Sequence, residues 1–448
     1  LASYNWYGGT GLILESEIRA GNAMNPIVRD FTSGRLQTPF TMSYNPSVTS
    51  VLWGTAYYAI SAVNNVLLVL EDPEVSATYL TTDVTQEMLD NKQAEALFIR
   101  ALAHFDLSRI YSHAYSKRSG DPLGVPVILV TDKTAEERPE RNTLEDVYKQ
   151  VVDDLVKAEG LMSDDYLNDG FTSETASVTK PAIQALLSRV YLYQENWQGA
   201  ADYATKVINN NNFELWTAEE YPEVWSEDTR NGGEVIFEIY GNNANDYDSY
   251  WEGPSHMTNP RGYADCAATP QLVNLFEDGD VRGTTGIRYK GAENTVMFAT
   301  DTDEASAGQY WTMKYQGMGK GDALSTPDVS NVIVFRLSEM YLTRAEALLR
   351  GATITGATAT GDINKIRAER GVDPIGSATP AAVALERRKE LNFEGHLWFD
   401  LARTGGTATY DDYRTVGNIT PDSHFWALPI PKREMDVNES LVQNRGYN

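Results

Sequence analysis

The chain has 448 residues, with 63 acidic against 37 basic side chains and a formal net charge of −26, and it carries no basic stripe that could neutralise phosphates, so nucleic acid is excluded as an expected partner. No run of roughly 18 apolar residues occurs, which leaves a tether outside this chain as the only membrane attachment to expect. A single cysteine, Cys266, excludes an internal disulfide framework and a thiolate zinc site, and it does not decide the compartment.

The first predicted helix is "LWGTAYYAISAVNNVLLVLE", where Leu52, Ala56, Ile60, Val63 and Leu67 fall on one face at three- and four-residue spacing. "QAEALFIRALAHFDLSRIYSHAY" repeats the spacing with Ala94, Phe98, Ala101 and Phe105, and "TLEDVYKQVVDDLVKAEGLM" is its partner after an insertion. The clearest signal is "PAIQALLSRVYLYQENWQGAADYATKVINN", residues 181–210. Ile183, Leu186, Val190 and Tyr193 line one helix, and Ala200, Ala201, Ala204 and Ile208 line the next, with Trp197 plugging the joint. This pair is similar to a tetratricopeptide unit, whose Tyr, Trp and Ala positions it reproduces without the glycines.

Residues 211–331 interrupt the helical pattern with a predicted strand, "EVIFEIYG", and many Gly, Asn, Asp and aromatic residues. Helical spacing resumes in "FRLSEMYLTRAEALLRG", where Leu337, Tyr341, Ala345 and Leu348 form the face and Gly351 serves as C-cap, with "GDINKIRAERGV" as partner. The expectation is one domain over residues 1–448, all-α dominated with few short strands. Its helical scaffold lies mainly at 50–112, 143–210 and 332–403, and it bears one irregular excursion at 211–331. Irregular loops on a rigid scaffold are where binding sites usually sit.

Catalytic and metal signatures are sparse. His104, His113, His256, His396 and His424 are scattered, and no Walker loop, GxGxxG or GxSxG occurs. "GMGKGD" at 317–322 has Gly321 where a magnesium-binding hydroxyl is needed and reads as a flexible turn. "DTDEASAGQ" from 301 offers Asp301, Asp303 and Glu304 as hard oxygens for calcium but has Ser306 where an EF-hand loop needs Gly, so a specific calcium loop is disfavoured and no cofactor is expected. Glu390 and Glu394 could act as the acid and the nucleophile or base of a glycosidase. Lying four residues apart beside Arg387, Arg388 and Arg403, they read more simply as an intrahelical ion-pair network that anchors a helix.

The segment holding that pair, "ERRKELNFEGHLWFDLARTG", resembles the signature of the SusD/RagB family, the surface glycan-binding lipoproteins of Bacteroidetes, in which E-R-x-x-E-L-x-F-E-G-x-R-x-x-D-L-x-R recurs. Agreement in order comes from "LWGTAYYAISAVNNVL", "AEALFIRALAHFDLSRIYS", "FRLSEMYLTRAEALL" with "INKIRAERG", and "ALPIPKREMDVNESLVQNRGY". "FEDGDVRG" resembles the family's G-D-x-R element through Asp280 and Arg282. Leu397, where Arg is frequent, and Glu439, where Pro is common, depart from the pattern.

The resemblance implies four tetratricopeptide-like helix pairs beside a loop-rich half, and outer-membrane attachment at the cell surface through a lipidated N-terminal Cys that this chain, opening at Leu1, does not contain. It also implies a partner, a SusC-like TonB-dependent transporter that receives the ligand.

A sugar presents an apolar C–H face and an equator of hydroxyls, so flat rings with Asn, Asp, Arg or Gln nearby suit it without any proton transfer or metal. Trp53, Trp197, Trp225, Trp398 and Trp426 read as core. The rings left over sit largely in loops, most densely in "YGNNANDYDSYWEGP", residues 240–254. The expected ligand-binding residues are Tyr44, Trp216, Tyr247, Tyr250, Trp251 and Trp311 as rings, with Asn243, Asn245 and Asp246 as hydroxyl partners. Binding and delivery of a glycan is the leading function, and the chain is not expected to be an enzyme. A glycoside hydrolase with an acidic pair in an aromatic cleft and a peptide-binding helical scaffold are the alternatives.

Overall fold

The computed structural model describes residues 1–3, 5–26, 35–47, 52–130, 138–168, 170, 173–226, 233–241, 250–283, 297–299, 309–315 and 329–447, the side chain of Tyr250 excepted. Helices dominate. Those of eight residues or more are α1 (Leu52–Leu70), α2 (Gln86–Tyr111), α3 (Leu144–Leu161), α4 (Lys180–Tyr193), α5 (Trp197–Ile208), α6 (Leu337–Leu349), α7 (Ala359–Glu369), α8 (Pro380–Glu390) and α9 (Leu397–Thr404).

Starts are set by side-chain caps. The hydroxyls of Thr143, Thr179, Thr358 and Thr379 and the Asn196 amide oxygen accept first-turn N–H groups of α3, α4, α7, α8 and α5, and Pro181 and Pro380 sit where a missing N–H costs nothing. α2 packs between α1 and α3, α4 against α5, and α6 against α5, α7 and α8. In the α4–α5 pair, Ile183, Leu186, Val190 and the three alanines are buried as their spacing predicts, and Ser188 Oγ donates to the Ala200 carbonyl at 3.0 Å across the contact. Val207 rather than Ile208 completes the buried face of α5.

The predicted strand exists as β1 (Val235–Ile239) and pairs antiparallel with β2 (Val332–Arg336), which sequence spacing assigned to the helical scaffold. All five residues of each strand are buried; Phe98 of α2 packs edge-on against Phe237 and Phe335 at 5.5 and 6.4 Å, and Arg336 enters a buried ion cluster.

The N-terminal segment is a further core element. Residues Thr10–Leu14 form a π-turn that leads into a helix at Glu15–Ala20, ended by Gly21 at φ 86°. Trp6, Leu12, Ile13, Leu14 and Ile18 are buried, and Trp6 Nε1 donates to Asp106 Oδ2 of α2 at 2.8 Å. Ala23–Met24 then pairs with Ala267–Ala268, tying the chain start to the loop-rich half.

Candidate functional site

The acidic pair of the signature is structural. α8 ends at Glu390, and Phe393 and Gly395 take positive φ, so Glu394 lies beyond the helix and the expected intrahelical network is replaced by a wider one. Glu390 accepts from Arg282 at 2.9 Å, Arg336 at 2.6 Å and Arg370 at 2.7 Å. Glu394 accepts from Arg336 at 2.8 Å and Lys314 at 2.6 Å.

Glu234, Asp280 and Glu386 close the cluster, and Arg367 reaches Glu386 at 3.1 Å, so five cations face five carboxylates. Burial alone would push both glutamates up, but the charges of Arg370, Arg336 and Arg282 hold Glu390 well below the usual carboxylate range, and Arg336 and Lys314 lower Glu394. An acid catalyst needs the opposite shift and an open approach. The flanking arginines serve elsewhere: Arg387 and Arg403 bind Asp400 at 3.0 and 2.8 Å, and Arg388 donates to Asn22 at 2.8 Å.

His104 likewise is a core residue: its ring accepts the Ile128 N–H at 3.2 Å, and burial pushes its pKa down to about 3. Among the described residues no group of three His, Cys, Asp or Glu could hold a metal ion, and no helix is long and apolar enough to cross a membrane.

Three of the expected ligand-binding rings are corrected by burial. Tyr44, Trp216 and Trp311 retain 7%, 5% and 1% of their surface, which leaves no face for a sugar. Tyr44 donates its hydroxyl to Glu15 at 2.9 Å and lies beside the Arg19 guanidinium. Trp216 packs edge-on against Tyr221 and Trp225, and its carbonyl accepts from Arg370 at 2.6 Å. Trp311 sits in a short strand paired with Phe298–Ala299. Asn243, Asn245, Asp246 and Tyr247 lie outside the described residues, as do residues 301–308 and 317–322.

Trp251 is different. Of the nine tryptophans, seven are buried, Trp197 is half-buried under Arg350, and Trp251 is 46% exposed. It occupies the one-turn 3-10 helix Tyr250–Glu252, which runs into a short helix at Pro254–Met257. The next residue, Glu252, accepts from Arg35 Nε at 2.8 and 2.9 Å, and this hydrogen bond raises the pKa of the guanidinium. The Arg35 guanidinium in turn lies 3.8 Å from the centroid of the Tyr263 ring, and Tyr263 lies 6.2 Å from the His256 ring.

The Tyr263 N–H donates to the His256 carbonyl at 2.8 Å, a turn closed so tightly that a Cβ at Gly262 would stand 2.4 Å from that same carbonyl. Beneath the turn, the N–H of buried Cys266 donates to the carbonyl of buried Met257 at 2.9 Å. The Arg35–Glu252 pair and the half-buried Tyr263 are joined from segments 217 residues apart, and with Trp251, the chain neighbour of Glu252, they are taken as one candidate ledge. It offers ring faces for C–H groups and charged donors and acceptors for hydroxyls. Arg35 and Glu252 were not anticipated, since nothing in either local sequence marks the pairing.

A family profile described as "Starch-binding associating with outer membrane" matches residues 22–192, and one described as "SusD family" matches residues 233–447. SusD-like protein P38 of Formosa agariphila is 24% identical over 96% of this chain and 86% of its own length. The starch-binding protein SusD of Bacteroides thetaiotaomicron is 32% identical over 30% of this chain and 24% of its own length. A crystal structure of a SusD superfamily protein from Bacteroides vulgatus superposes with a TM-score of 0.84 and 26% identity, covering 100% of this chain and 96% of that one. Two profiles of one family match residues 22–192 and 233–447, and the fold agrees from end to end with that of a SusD superfamily structure: the chain belongs to the SusD/RagB family.

Proposed function

We propose that this chain binds an oligo- or polysaccharide at the outer surface of the outer membrane and passes it to a SusC-like TonB-dependent transporter, without cleaving it. The membrane association rests on the family description and the glycan ligand on the starch-binding relative. A lipid anchor outside this chain would hold it there. The observation that carries the site is Trp251: one tryptophan of nine is left substantially exposed, and its chain neighbour Glu252 is held in an ion pair with Arg35. In this reading Tyr247 and Tyr250 extend the stacking surface, and Asn243, Asn245 and Asp246 meet hydroxyls.

Affinity electrophoresis and calorimetry against a polysaccharide panel test the reading, with the same glycans incubated for product analysis. Binding without product release is the expected outcome. Release of shortened oligosaccharides would restore the hydrolase alternative, although Glu390 and Glu394 would not be its catalysts, paired as they are with four buried cations. Co-purification with a SusC-like transporter expressed alongside the chain tests delivery, and its failure would remove the transporter from the account.

A further inference from the structure

A cavity of about 430 Å³ opens on the helical side, between residues 164–167 and 174–175, the start of α4, the turn after α5 and the beginning of β1. That volume lies within the range of sites for small ligands. It shares no residue with the Trp251 ledge. We propose that it is a second glycan site, taking a short neutral segment of the polymer that the ledge also binds; the proposal rests on the reading of the chain as a glycan-binding protein.

Two rings form its sides. Tyr166 is fixed at its hydroxyl, which accepts from Lys92 at 2.7 Å and donates to Glu95 at 3.2 Å, so its half-buried ring is held in place before any ligand arrives. Phe213 is carried by a turn in which the Asn210 amide oxygen accepts the Asn212 N–H at 2.9 Å, and it too keeps part of its surface open. Buried Pro181 and Ile236 add apolar lining, and Thr175 and Thr179 add hydroxyls beside them.

At the rim stand Asp164 and Asp165, both exposed. Lys180 reaches Asp164 at 2.5 Å, whereas no ion pair or hydrogen bond engages the Asp165 carboxylate among the described residues. With 63 acidic residues in the chain, carboxylates at a rim are ordinary. Their conjunction with two half-open rings in one cavity of mixed lining is not: the rings suit the C–H face of a sugar, and the carboxylates accept from its equatorial hydroxyls. A protein gripping one polymer at two places gains avidity because the second contact is made at high effective concentration.

The test uses the full chain with Trp251→Ala, Phe213→Ala, Asp165→Asn and the Trp251→Ala/Phe213→Ala pair. Starch, laminarin, xylan and galactomannan serve in affinity gels, with the matching hexasaccharides for calorimetry. Two binding equivalents are expected for wild type, one for each ring variant and none for the pair, and polymer retention should fall at least about tenfold in either ring variant. Asp165→Asn, a surface change that leaves folding alone, should weaken the same event that Phe213→Ala removes. One equivalent in wild type, lost with Trp251→Ala and untouched by Phe213→Ala and Asp165→Asn, overturns the second site and leaves the ledge standing. Loss with Phe213→Ala alone keeps this cavity and overturns the ledge, and no binding by wild type overturns both.

Discussion

Arg336 and Glu390 are 54 residues apart in the chain and meet at 2.6 Å, both fully buried. This contact fastens strand β2 to the end of α8, and through Arg282 and Arg370 it gathers two further segments at the same carboxylate. Charges cost several kcal/mol each to bury, so such a cluster holds only because every member is paired. What it supplies is position: it sets the turn at Phe393 and Gly395, and with it the path of the chain into α9.

Replacing Glu390 by Gln should therefore be severe, about 3–5 kcal/mol, because it leaves three buried guanidinium groups without their shared partner. The loss should also depend on pH. The folded-state pKa of Glu390 lies below its unfolded value near 4.5, so the charged form stabilises the fold fully above that pH, and the benefit disappears as pH falls through the folded pKa. Denaturant unfolding of both proteins at several pH values checks this: the gap should be constant above pH 4.5 and shrink below it.

The ion pair on the ledge should behave in the opposite way. Arg35 and Glu252 keep 29% and 20% of their side-chain surface exposed. Screening by water limits such a pair to roughly 0–1 kcal/mol of stability, which a double-mutant cycle with Arg35→Ala and Glu252→Gln should find. Both variants should nevertheless weaken glycan binding, since the pair presents its donors and acceptors beside Trp251.

Gly262→Ala introduces a methyl 2.4 Å from the His256 carbonyl, against backbone rather than a flexible side chain. Overpacking of this kind costs about 1–3 kcal/mol. The strain falls on the turn that positions Tyr263, so glycan affinity should drop more than a comparable loss of stability elsewhere would cause, as paired melting and binding measurements would reveal.

Cys266 is buried, and burial pushes its thiol pKa well above the ordinary range. Thiol titration with a chromogenic disulfide should find no reactive group in the folded chain and one equivalent in denaturant. Reaction at the folded rate of a free thiol would show that the turn beneath the ledge opens.

Helix pairs were legible because one face repeats at a fixed spacing: Ile183, Leu186 and Val190 need only a local rule. β2 was hidden because "VIVFR" is a short apolar run without period that runs directly into α6. The N-terminal core segment, Trp6 included, carries no partner helix in sequence and escaped assignment. Depth was the least legible property. Tyr44, Trp216 and Trp311 sit in loop-like or irregular surroundings as Trp251 does, and only the packing of distant segments separates three buried rings from the exposed one. Pairings such as Arg35 with Glu252 span 217 residues and follow no spacing at all.

The most direct measurement is glycan affinity of the Trp251→Ala chain beside wild type, on whichever polysaccharide retards the wild type. Stacking a sugar on the exposed face of this ring removes apolar surface worth roughly 1.4 kcal/mol or more, so a loss of at least about tenfold is predicted, with the melting temperature unchanged. Wild-type affinity in the variant would contradict the account and place the glycan site elsewhere on the molecule.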